Sequence, residues 1–462
     1  MLIFYGKFAC HSISECHLCT MKKVLILTYY WPPSGGAGVQ RWLKFVKYLR
    51  EFGWEPIVYT AENGEYPVLD ESLFKDIPEG ITILKQPIWE PYQLYKKVIG
   101  QKKDERVVSG FLKEKGKISW GYKLSLWLRG NVFIPDARRF WIPPSTNYLS
   151  QWLKENPVDA IVSTGPPHSM HLIGMNLHNK TGIPWLADFR DPWVNIDFAG
   201  DLKMSSWAKN KNILLEKKVL NTANLVVVVS ELMAEEFRSK TKKPVELITN
   251  GFDPDDFIVD ETLIRKDGKF SIVHTGSLND RRNHPALWKC IAQLRDENAE
   301  FKSLCEIRLI GKNDVSVRES IQKEGLEDCT VWIDYLPHEQ IMAEQQSASL
   351  LLLSINNFGA AESKFFSSKY AMTGKLFEYL AAQRPILMIG PNDSQAADVV
   401  RKSLAGFVSD FNDSVNIMSI LKTIFENRNK EQIKQSGSSL EHYSRKKLTE
   451  NISKQLNLLV RN

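Results

Sequence analysis

The sequence predicts an α/β protein built from two doubly wound domains that face each other across a cleft. Short apolar runs recur along the chain at the length of buried strands, and loops followed by helical patterns separate them. The chain has 462 residues, which suits two or three domains. Its composition, 43% hydrophobic and 25% charged, is ordinary for a globular protein that buries a substantial core.

The first domain opens with a strand, a glycine loop, a helix and a second strand. Val24–Tyr29 is apolar and β-rich, Gln40–Phe52 has apolar residues at helical spacing, and Pro56–Thr60 is a further apolar run. This order predicts a βαβ unit with parallel strands. Later apolar runs predict further strands at Asp159–Ser163, Trp185–Phe189, Leu225–Ser230 and Val245–Thr249.

A second α/β series begins at Phe270. Its predicted helices are Pro285–Arg295 and Gly374–Ala382. Its predicted strands are Ser271–His274, Glu306–Ile310, Val331–Ile333, Leu350–Ile355 and Pro385–Ile389. We therefore expect a first domain over residues 21–250, a second over 251–430, and a helical tail over 431–462 that packs back on the first. We expect residues 1–20 to be a disordered extension or to precede the natural start at Met21.

The overall charge and the cysteines narrow the class of function. A net charge of +6 is below what a dedicated nucleic-acid binder carries, so we expect no nucleic-acid partner. The six cysteines include the pair Cys16 and Cys19, but no matching second pair follows. We predict no metal site and no bound cofactor. No apolar run approaches the roughly 18 residues that span a bilayer, and we expect a cytoplasmic protein.

One stretch, Lys96–Arg129, holds ten Lys and Arg residues against three Asp and Glu residues, interleaved with Trp, Phe and Leu. Such a mixture suits peripheral contact with an anionic membrane, here the inner face of the plasma membrane. A solvated basic helix or loop is the alternative interpretation.

Two loops at predicted strand ends of the first domain carry candidate residues. Gly35 and Gly36 lie between the first strand and the first helix, where glycine lets the backbone approach an acceptor or a phosphate. A tight turn without a ligand is the alternative. His168 follows a later strand, and an imidazole there can hydrogen-bond a sugar or a phosphate.

A third loop of this domain places Asp188 and Asp191 on either side of Arg190. A carboxylate at a strand end can act as a base or orient a sugar hydroxyl. The alternative is an ion pair between arginine and aspartate that fixes the loop. Both interpretations are compatible with the sequence.

In the second domain, small residues and cationic residues lie near the ends of predicted strands. Gly276 and Ser277 follow the first strand, where the backbone can approach a phosphate. Arg282 and Lys312 lie in strand-end regions and could neutralise a diphosphate. Either cation alone is equally compatible with a solvated surface.

The most informative segment runs from Thr373 to Ala382. Thr373 is a suitable cap for a helix that starts at Gly374, which leaves free N–H groups at Gly374 and Lys375 for a phosphate. Glu378 lies about one turn further on and suits a ribose diol, as an acceptor of two hydroxyl hydrogens. The alternative is a surface pair between Lys375 and Glu378.

Together these segments resemble the family-4-like glycosyltransferases of the GT-B fold, which has two Rossmann-like domains. The resemblance covers about residues 21–460. It is carried by the order of the Gly35-Gly36 loop, Asn250-Gly251-Phe252-Asp253, Thr275-Gly276-Ser277 and Lys375-Leu376-Phe377-Glu378-Tyr379. It implies a retaining transfer from a UDP- or GDP-linked sugar to a saccharide or lipid-linked acceptor, without a metal, in cell-surface polysaccharide synthesis.

The resemblance also implies roles for the candidate residues. Glu378 would hold the ribose, Lys375 and Gly374 would meet the phosphates with Arg282 or Lys312, and His168 and Asp188 would face the reacting sugar. The family often has a glutamate eight positions before the one that holds the ribose, whereas this chain has Tyr370 there, with Glu362 nearby. A sugar-nucleotide epimerase and a catalytically silent binding protein are the competing interpretations.

Overall fold

A computed structural model describes residues 21–90, 127–195, 203–359, 368–370, 372–429 and 440–461. Two parallel sheets organise these residues. The first has seven strands in the order β3-β2-β1-β4-β5-β6-β7, and the second has six in the order β10-β9-β8-β11-β12-β13. Helices alternate with the strands in both. The predicted fold class, two doubly wound α/β domains, is confirmed.

The first sheet and its helices lie between Lys22 and Leu247. Its strands are β1 (Lys22–Leu27), β2 (Trp54–Ala61), β3 (Thr82–Gln86), β4 (Ala160–Gly165), β5 (Trp185–Phe189), β6 (Leu225–Val228) and β7 (Val245–Leu247). Its helices are α1 (Ala37–Leu49), α2 (Ile142–Glu155), α3 (Ser169–Thr181), α4 (Ser206–Thr222) and α5 (Glu231–Arg238).

The second sheet and its helices follow from Phe270. Its strands are β8 (Phe270–Thr275), β9 (Cys305–Ile310), β10 (Thr330–Ile333), β11 (Leu350–Ser354), β12 (Ile386–Ile389) and β13 (Gly406–Ser409). Its helices are α6 (Pro285–Glu297), α7 (Ala299–Leu304), α8 (Val315–Lys323), α9 (His338–Ser347), α10 (Gly374–Ala381), α11 (Gln395–Lys402) and α12 (Ser414–Glu426). A last helix, α13 (Arg445–Leu459), ends the described chain.

Each sheet has a point where the strand order reverses direction. In the first, β1 pairs with both β2 and β4, and in the second, β8 pairs with both β9 and β11. The apolar runs that predicted the central strands are buried, as parallel strands covered by helices on both faces require. Loops that leave the carboxyl ends of strands beside such a reversal form the crevice in which ligands of these folds bind.

Helix α13 returns from the second sheet to the first domain. Its Leu448, Ile452 and Leu456 are buried in one cluster with Trp42 of helix α1. The backbone N–H of Arg445, at its start, donates to the carbonyl of Phe252 at 2.7 Å. The last helix of the described chain therefore packs on helix α1 of the first domain. The domain boundaries expected from the sequence stay predictions.

Two sequence predictions concern residues outside the described part of the chain. The first is the terminal extension, residues 1–20. The second is the basic membrane segment, Lys96–Arg129, nearly all of which is outside the described residues. Both stay predictions. Among the described helices, none combines the length and apolar character that crossing a bilayer demands.

Candidate active site

Helix α10 starts at Gly374, where the sequence predicts it, with Thr373 as the residue before its first turn. The predicted side-chain cap is wrong, because the Thr373 hydroxyl accepts no bond from the helix. This hydroxyl is buried without a partner among the described residues. The N–H groups of the first turn therefore keep their capacity to bind an acceptor, and the positive end of the helix favours an anion.

The side chain of Lys375 lies directly over Gly276 at the end of strand β8. A methyl group on Gly276 would lie 2.4 Å from Lys375 Cε and 2.7 Å from Nζ, closer than any side-chain atom tolerates. Gly276 also has φ +94°, which favours glycine. A methyl group on Gly311, which follows the neighbouring strand β9, would lie 2.7 Å from the carbonyl oxygen of Gly276. Gly276 therefore makes room for the lysine, and Gly311 makes room for the backbone of Gly276.

The ammonium group of Lys375 occupies an electrostatically unusual position. It has no hydrogen-bond partner within the described part of the chain. Burial and the nearby cation Arg282 lower the pKa of Lys375 to about 8, and the charge of Glu378 acts in the opposite direction. Lys375 is partly buried, and an ammonium in this position beside another cation is stabilised by an anion, so this corner of the site favours an anionic ligand.

Arg282 and Ser277 are brought together in the loop after strand β8. Arg282 donates from Nη1 to the carbonyl of Ser277 at 3.2 Å and from Nε to Asn356 Oδ1 at 2.9 Å. Lys312 follows Gly311 in the adjacent loop and its side chain is exposed. Of the two predicted cations, Arg282 is therefore the one whose charge acts on Lys375.

Glu378 lies one turn along helix α10 from Lys375. Its Oε2 accepts a hydrogen bond of 3.2 Å from Gln345 Nε2, which also donates to Thr275 Oγ1 at 3.1 Å. The hydroxyl of Tyr379 accepts from the backbone N–H of Thr275 at 3.0 Å. Helix α10 is thereby tied to the end of strand β8, and one oxygen of Glu378 is held in place by a fully buried glutamine.

Glu378 faces a pocket between the two domains. The pocket is lined by Gln40 and Lys44 of helix α1, by Gly251, Phe252, Asp253, Asp256 and Phe257 of the connection, and by His338, Glu378 and Arg445. Arg445 is 5% exposed, and its Nη1 is buried with no hydrogen-bond partner among the described residues. Burial, helped by the charge of Arg41, lowers the pKa of Arg445 to about 9.

Three carboxylates beside this pocket resemble a cation site. Oxygens of Asp76, Asp253 and Asp256 lie within 4.8 Å of one another. Lys44 Nζ stands among them, 2.8 Å from Asp76 and 3.1 Å from Asp253, and in contact with Asp256. His338 Nε2 donates to Asp256 at 3.0 Å. The lysine ammonium supplies the positive charge here and ties helix α1 to the connection.

Asp188 was predicted to face the reacting sugar, and the geometry does not support that role. It is fully buried, and its carboxylate accepts from Arg41 Nη2 at 2.8 Å, from Trp42 Nε1 at 2.7 Å and from Thr164 Oγ1 at 2.9 Å. Because the carboxylate is fully buried and both of its oxygens already accept hydrogen bonds, a substrate cannot reach it. Asp188 does form an ion pair with an arginine, but the partner is Arg41 of helix α1 and not Arg190 of the same loop.

The glycine loop and Arg190 meet at the start of helix α1. Arg190 donates to the carbonyls of Gly38 and Pro166, so it joins the loops after strands β1 and β4. A side chain on Gly35 would lie 2.7 Å from the hydroxyl of Tyr335 in the second domain, whereas one on Gly36 would meet nothing within 4 Å. Gly35 therefore packs against protein, and Gly36 faces open space. Asp191 is exposed beside Arg190.

His168 immediately precedes helix α3, and its ring stacks on Trp193 at 4.7 Å between centroids. Its Nδ1 is buried without a partner in the described structure. Burial and the neighbouring His171 hold the pKa of His168 well below its usual range. A neutral ring of this kind acts through hydrogen bonds and not through charge.

The structure thus brings Gly276, Ser277, Arg282, Lys375 and Glu378 together, and it leaves Asp188 and Gly35 in contacts within the protein. Sequence reasoning missed Gln345 and Arg445. Gln345 is one of several glutamines in a polar helix, and Arg445 lies in a basic tail, so neither carried a local signal. Glu362 lies outside the described residues, and the side chain of Tyr370 is not described either.

The two sheets, their strand order and the cleft between them define the GT-B class of proteins. Solved structures share this fold over nearly their whole length. They include a glycosyltransferase from Rickettsia africae (TM-score 0.58, 13% identity, 96% of this chain and 99% of that one). HepE of Anabaena, in complex with UDP and glucose, has a TM-score of 0.52 at 14% identity, covering 95% and 97%.

A third similar structure is the UDP-forming α,α-trehalose-phosphate synthase of Burkholderia vietnamiensis, with a TM-score of 0.57 at 9% identity over 95% and 99% of the two chains. No curated protein matches the sequence. Residues 116–256 match the sequence model of Glycosyltransferase Family 4. Over that segment the chain is similar to this family, and over nearly its whole length it shares the fold of the solved structures.

Proposed function

We propose that the protein is a family-4-like glycosyltransferase, which moves a sugar from a UDP- or GDP-linked donor to a saccharide or lipid-linked acceptor. In this proposal the transfer retains the configuration, needs no metal and serves cell-surface polysaccharide synthesis. The observation that carries the donor assignment is the position of Lys375. Its ammonium, which is partly buried and has no hydrogen-bond partner in the described structure, lies over Gly276 beside the open N-terminus of helix α10. HepE of Anabaena, which has the same fold, is bound to UDP and glucose.

In this proposal the donor's diphosphate lies at the start of helix α10. The N–H groups of the first turn, the Lys375 ammonium and the charge of Arg282 then surround the leaving group as its negative charge develops. Positive groups that are already in place need no reorganisation during the reaction. They supply the stabilisation that a divalent cation gives elsewhere.

The ribose would lie one turn further along, at Glu378. One carboxylate oxygen is held by Gln345, and the other accepts no hydrogen bond from the described residues. A carboxylate fixed in this way can accept hydrogens from a diol. From the first domain, we propose that His168 contacts the sugar, since its ring is neutral and its Nδ1 has no hydrogen-bond partner in the described structure. We propose that the acceptor approaches at Gly36, which faces open space.

The first test incubates the purified protein with labelled UDP- and GDP-sugars and analyses the products. Transfer to an acceptor, or slow hydrolysis of the donor, supports the proposal. Epimerisation of the sugar nucleotide indicates the competing enzyme, and binding without turnover indicates a silent binding protein. Either of these last two results contradicts transfer.

A second test addresses the ribose contact. Glu378→Ala should weaken nucleotide binding by roughly 1–3 kcal/mol in calorimetry, the scale of hydrogen bonds to a charged group. Glu426→Ala removes an exposed carboxylate at the end of helix α12 and is the matched control. Equal affinity of the two variants would exclude Glu378 from the nucleotide site.

A further inference from the structure

Arg445, at the start of helix α13, carries a buried charge without a counter-charge in contact. The residue is 5% exposed, and its guanidinium forms no hydrogen bond and no ion pair within the described part of the chain. The ring of Phe45, 5.9 Å away, supplies only a weak cation–π interaction. A buried guanidinium normally binds a carboxylate or several carbonyls, because removing a charge from water is otherwise costly. The arrangement therefore favours a ligand as its partner.

The carboxylates around Arg445 differ in what they can still bind. Asp253, Asp256 and Glu378 line the same pocket as Arg445. Both oxygens of Asp253 and both oxygens of Asp256 already accept hydrogen bonds, from side chains of helix α1 or from His338. Glu378 accepts at Oε2, and its Oε1 accepts nothing from the described residues. Within the described chain, Glu378 is thus the lining carboxylate with an oxygen available to a ligand.

Arg445 and Glu378 line one pocket but do not bind each other. The charge of Glu378 does act on Arg445, since it partly offsets the lowering of the Arg445 pKa by burial. A phosphate between them would be repelled by Glu378, and a cation would be repelled by Arg445. A neutral hydroxyl suits both, because it donates its hydrogen to the carboxylate and accepts one from the guanidinium. Such a bridge joins nitrogen to oxygen over about 5 Å, which is wider than an ion pair.

The backbone fixes Arg445 at the pocket. Its N–H donates to the carbonyl of Phe252 at 2.7 Å, and the N–H of Phe252 donates to the carbonyl of Tyr443 at 3.1 Å. These two bonds tie the start of helix α13 to the connection between the domains. A donor that is already held in place loses little conformational freedom when a ligand binds to it.

We propose that Arg445 is a second residue that binds the donor's ribose, and that its guanidinium donates to a ribose hydroxyl whose hydrogen Glu378 accepts. This inference rests on the proposed function, in which the ribose lies at Glu378. It gives the returning helix α13 a direct part in the donor site. The site then favours ribose over deoxyribose, because a nucleotide without the bridging hydroxyl leaves the buried guanidinium unpartnered.

The test is titration calorimetry of the full-length protein with UDP, 2′-deoxy-UDP and 3′-deoxy-UDP, or with the guanosine set if the parent protein binds GDP more tightly. The parent should bind the ribonucleotide about tenfold or more tightly than the analogue that lacks the bridging hydroxyl. Arg445→Met should lose a similar factor for the ribonucleotide. For that analogue, Arg445→Met and the parent should agree within about twofold, because the guanidinium and the hydroxyl belong to one interaction.

Lys446→Met is the matched control at the next position of helix α13. It removes a cation whose side chain is 56% exposed and paired with Glu51 at the surface. This variant should bind all three nucleotides as the parent does. Urea unfolding checks the fold of Arg445→Met. Its unfolding free energy should be no lower than that of the parent, because the replaced guanidinium has no hydrogen bond or ion pair within the described chain.

Three outcomes would overturn the inference. Unchanged ribonucleotide affinity in Arg445→Met would exclude the contact and leave the proposed function intact. An equal loss of affinity for the ribonucleotide and for both deoxy analogues would show that Arg445 acts through its charge or through the fold, and not through a ribose hydroxyl. Absence of parent binding to both UDP and GDP would contradict the proposed function, and this inference with it.

Discussion

The contact between Gly276 and Lys375 makes a sharp prediction for Gly276→Ala. The new methyl group would begin 2.4 Å from Lys375 Cε, so the lysine must retreat by about 1 Å to reach ordinary van der Waals contact. The backbone at φ +94° adds roughly 1–2 kcal/mol of strain for any residue other than glycine. Because the end of a lysine is flexible, its displacement should cost little stability.

The displacement should instead weaken binding of the diphosphate. Losing one charge-assisted hydrogen bond costs roughly 1.5–3 kcal/mol, or about tenfold in affinity or more. Titration calorimetry with UDP and with uridine separates the contribution of the phosphates to binding from that of the nucleoside. UDP affinity should fall in Gly276→Ala, while uridine, which lacks phosphates, should bind as to the parent.

Gly268→Ala is the matched control for the backbone strain. Gly268 precedes the same strand at its opposite end, has φ +73°, and a methyl group on it would meet nothing within 4 Å. Both variants should lose similar unfolding free energy in urea, and only Gly276→Ala should lose UDP affinity. Unchanged UDP affinity in a folded Gly276→Ala protein would refute the assignment of Lys375 to the diphosphate.

Three further predictions test neighbouring groups. Asp188→Asn leaves the buried guanidinium of Arg41 without its counter-charge and should lower the unfolding free energy in urea by about 3–5 kcal/mol. UDP affinity should fall as the pH rises above about 8, by up to about tenfold per pH unit, because Lys375 is charged only below its pKa and binding must then take up a proton. Gln345→Leu should raise the donor KM about fivefold and leave kcat within about twofold, because Gln345 only positions Glu378.

Each of these predictions has its own contrary result. Normal stability together with lost activity in Asp188→Asn would restore a chemical role for that carboxylate. Lys375→Arg should bind UDP independently of pH, and a flat profile for the parent protein as well would show that Lys375 does not titrate in binding. Gln346→Leu, which removes a bond to the carbonyl of Phe257, is the control for Gln345, and equal kinetics in both variants would remove the positioning role.

Local pattern predicted most central strands. Trp185–Phe189 has the same bounds in the sequence prediction and in the structure, because a buried parallel strand is a continuous apolar run. Strand β3 was missed, since it is an edge strand whose side chains are half exposed and show no clear alternation. Helix α3 was missed for the opposite reason. Much of it is buried, so it lacks a polar face and a helical period.

The sequence by itself determined the alternation of strands and helices, the start of helix α10 at Gly374, and the spacing that puts Lys375 and Glu378 one turn apart. These features depend on residues adjacent in the chain. Only the tertiary structure decided that Asp188 binds Arg41, 147 positions away, and that Gln345 holds Glu378. A buried charge must find a partner, but the partner is chosen by which elements pack together, and no local pattern encodes that choice.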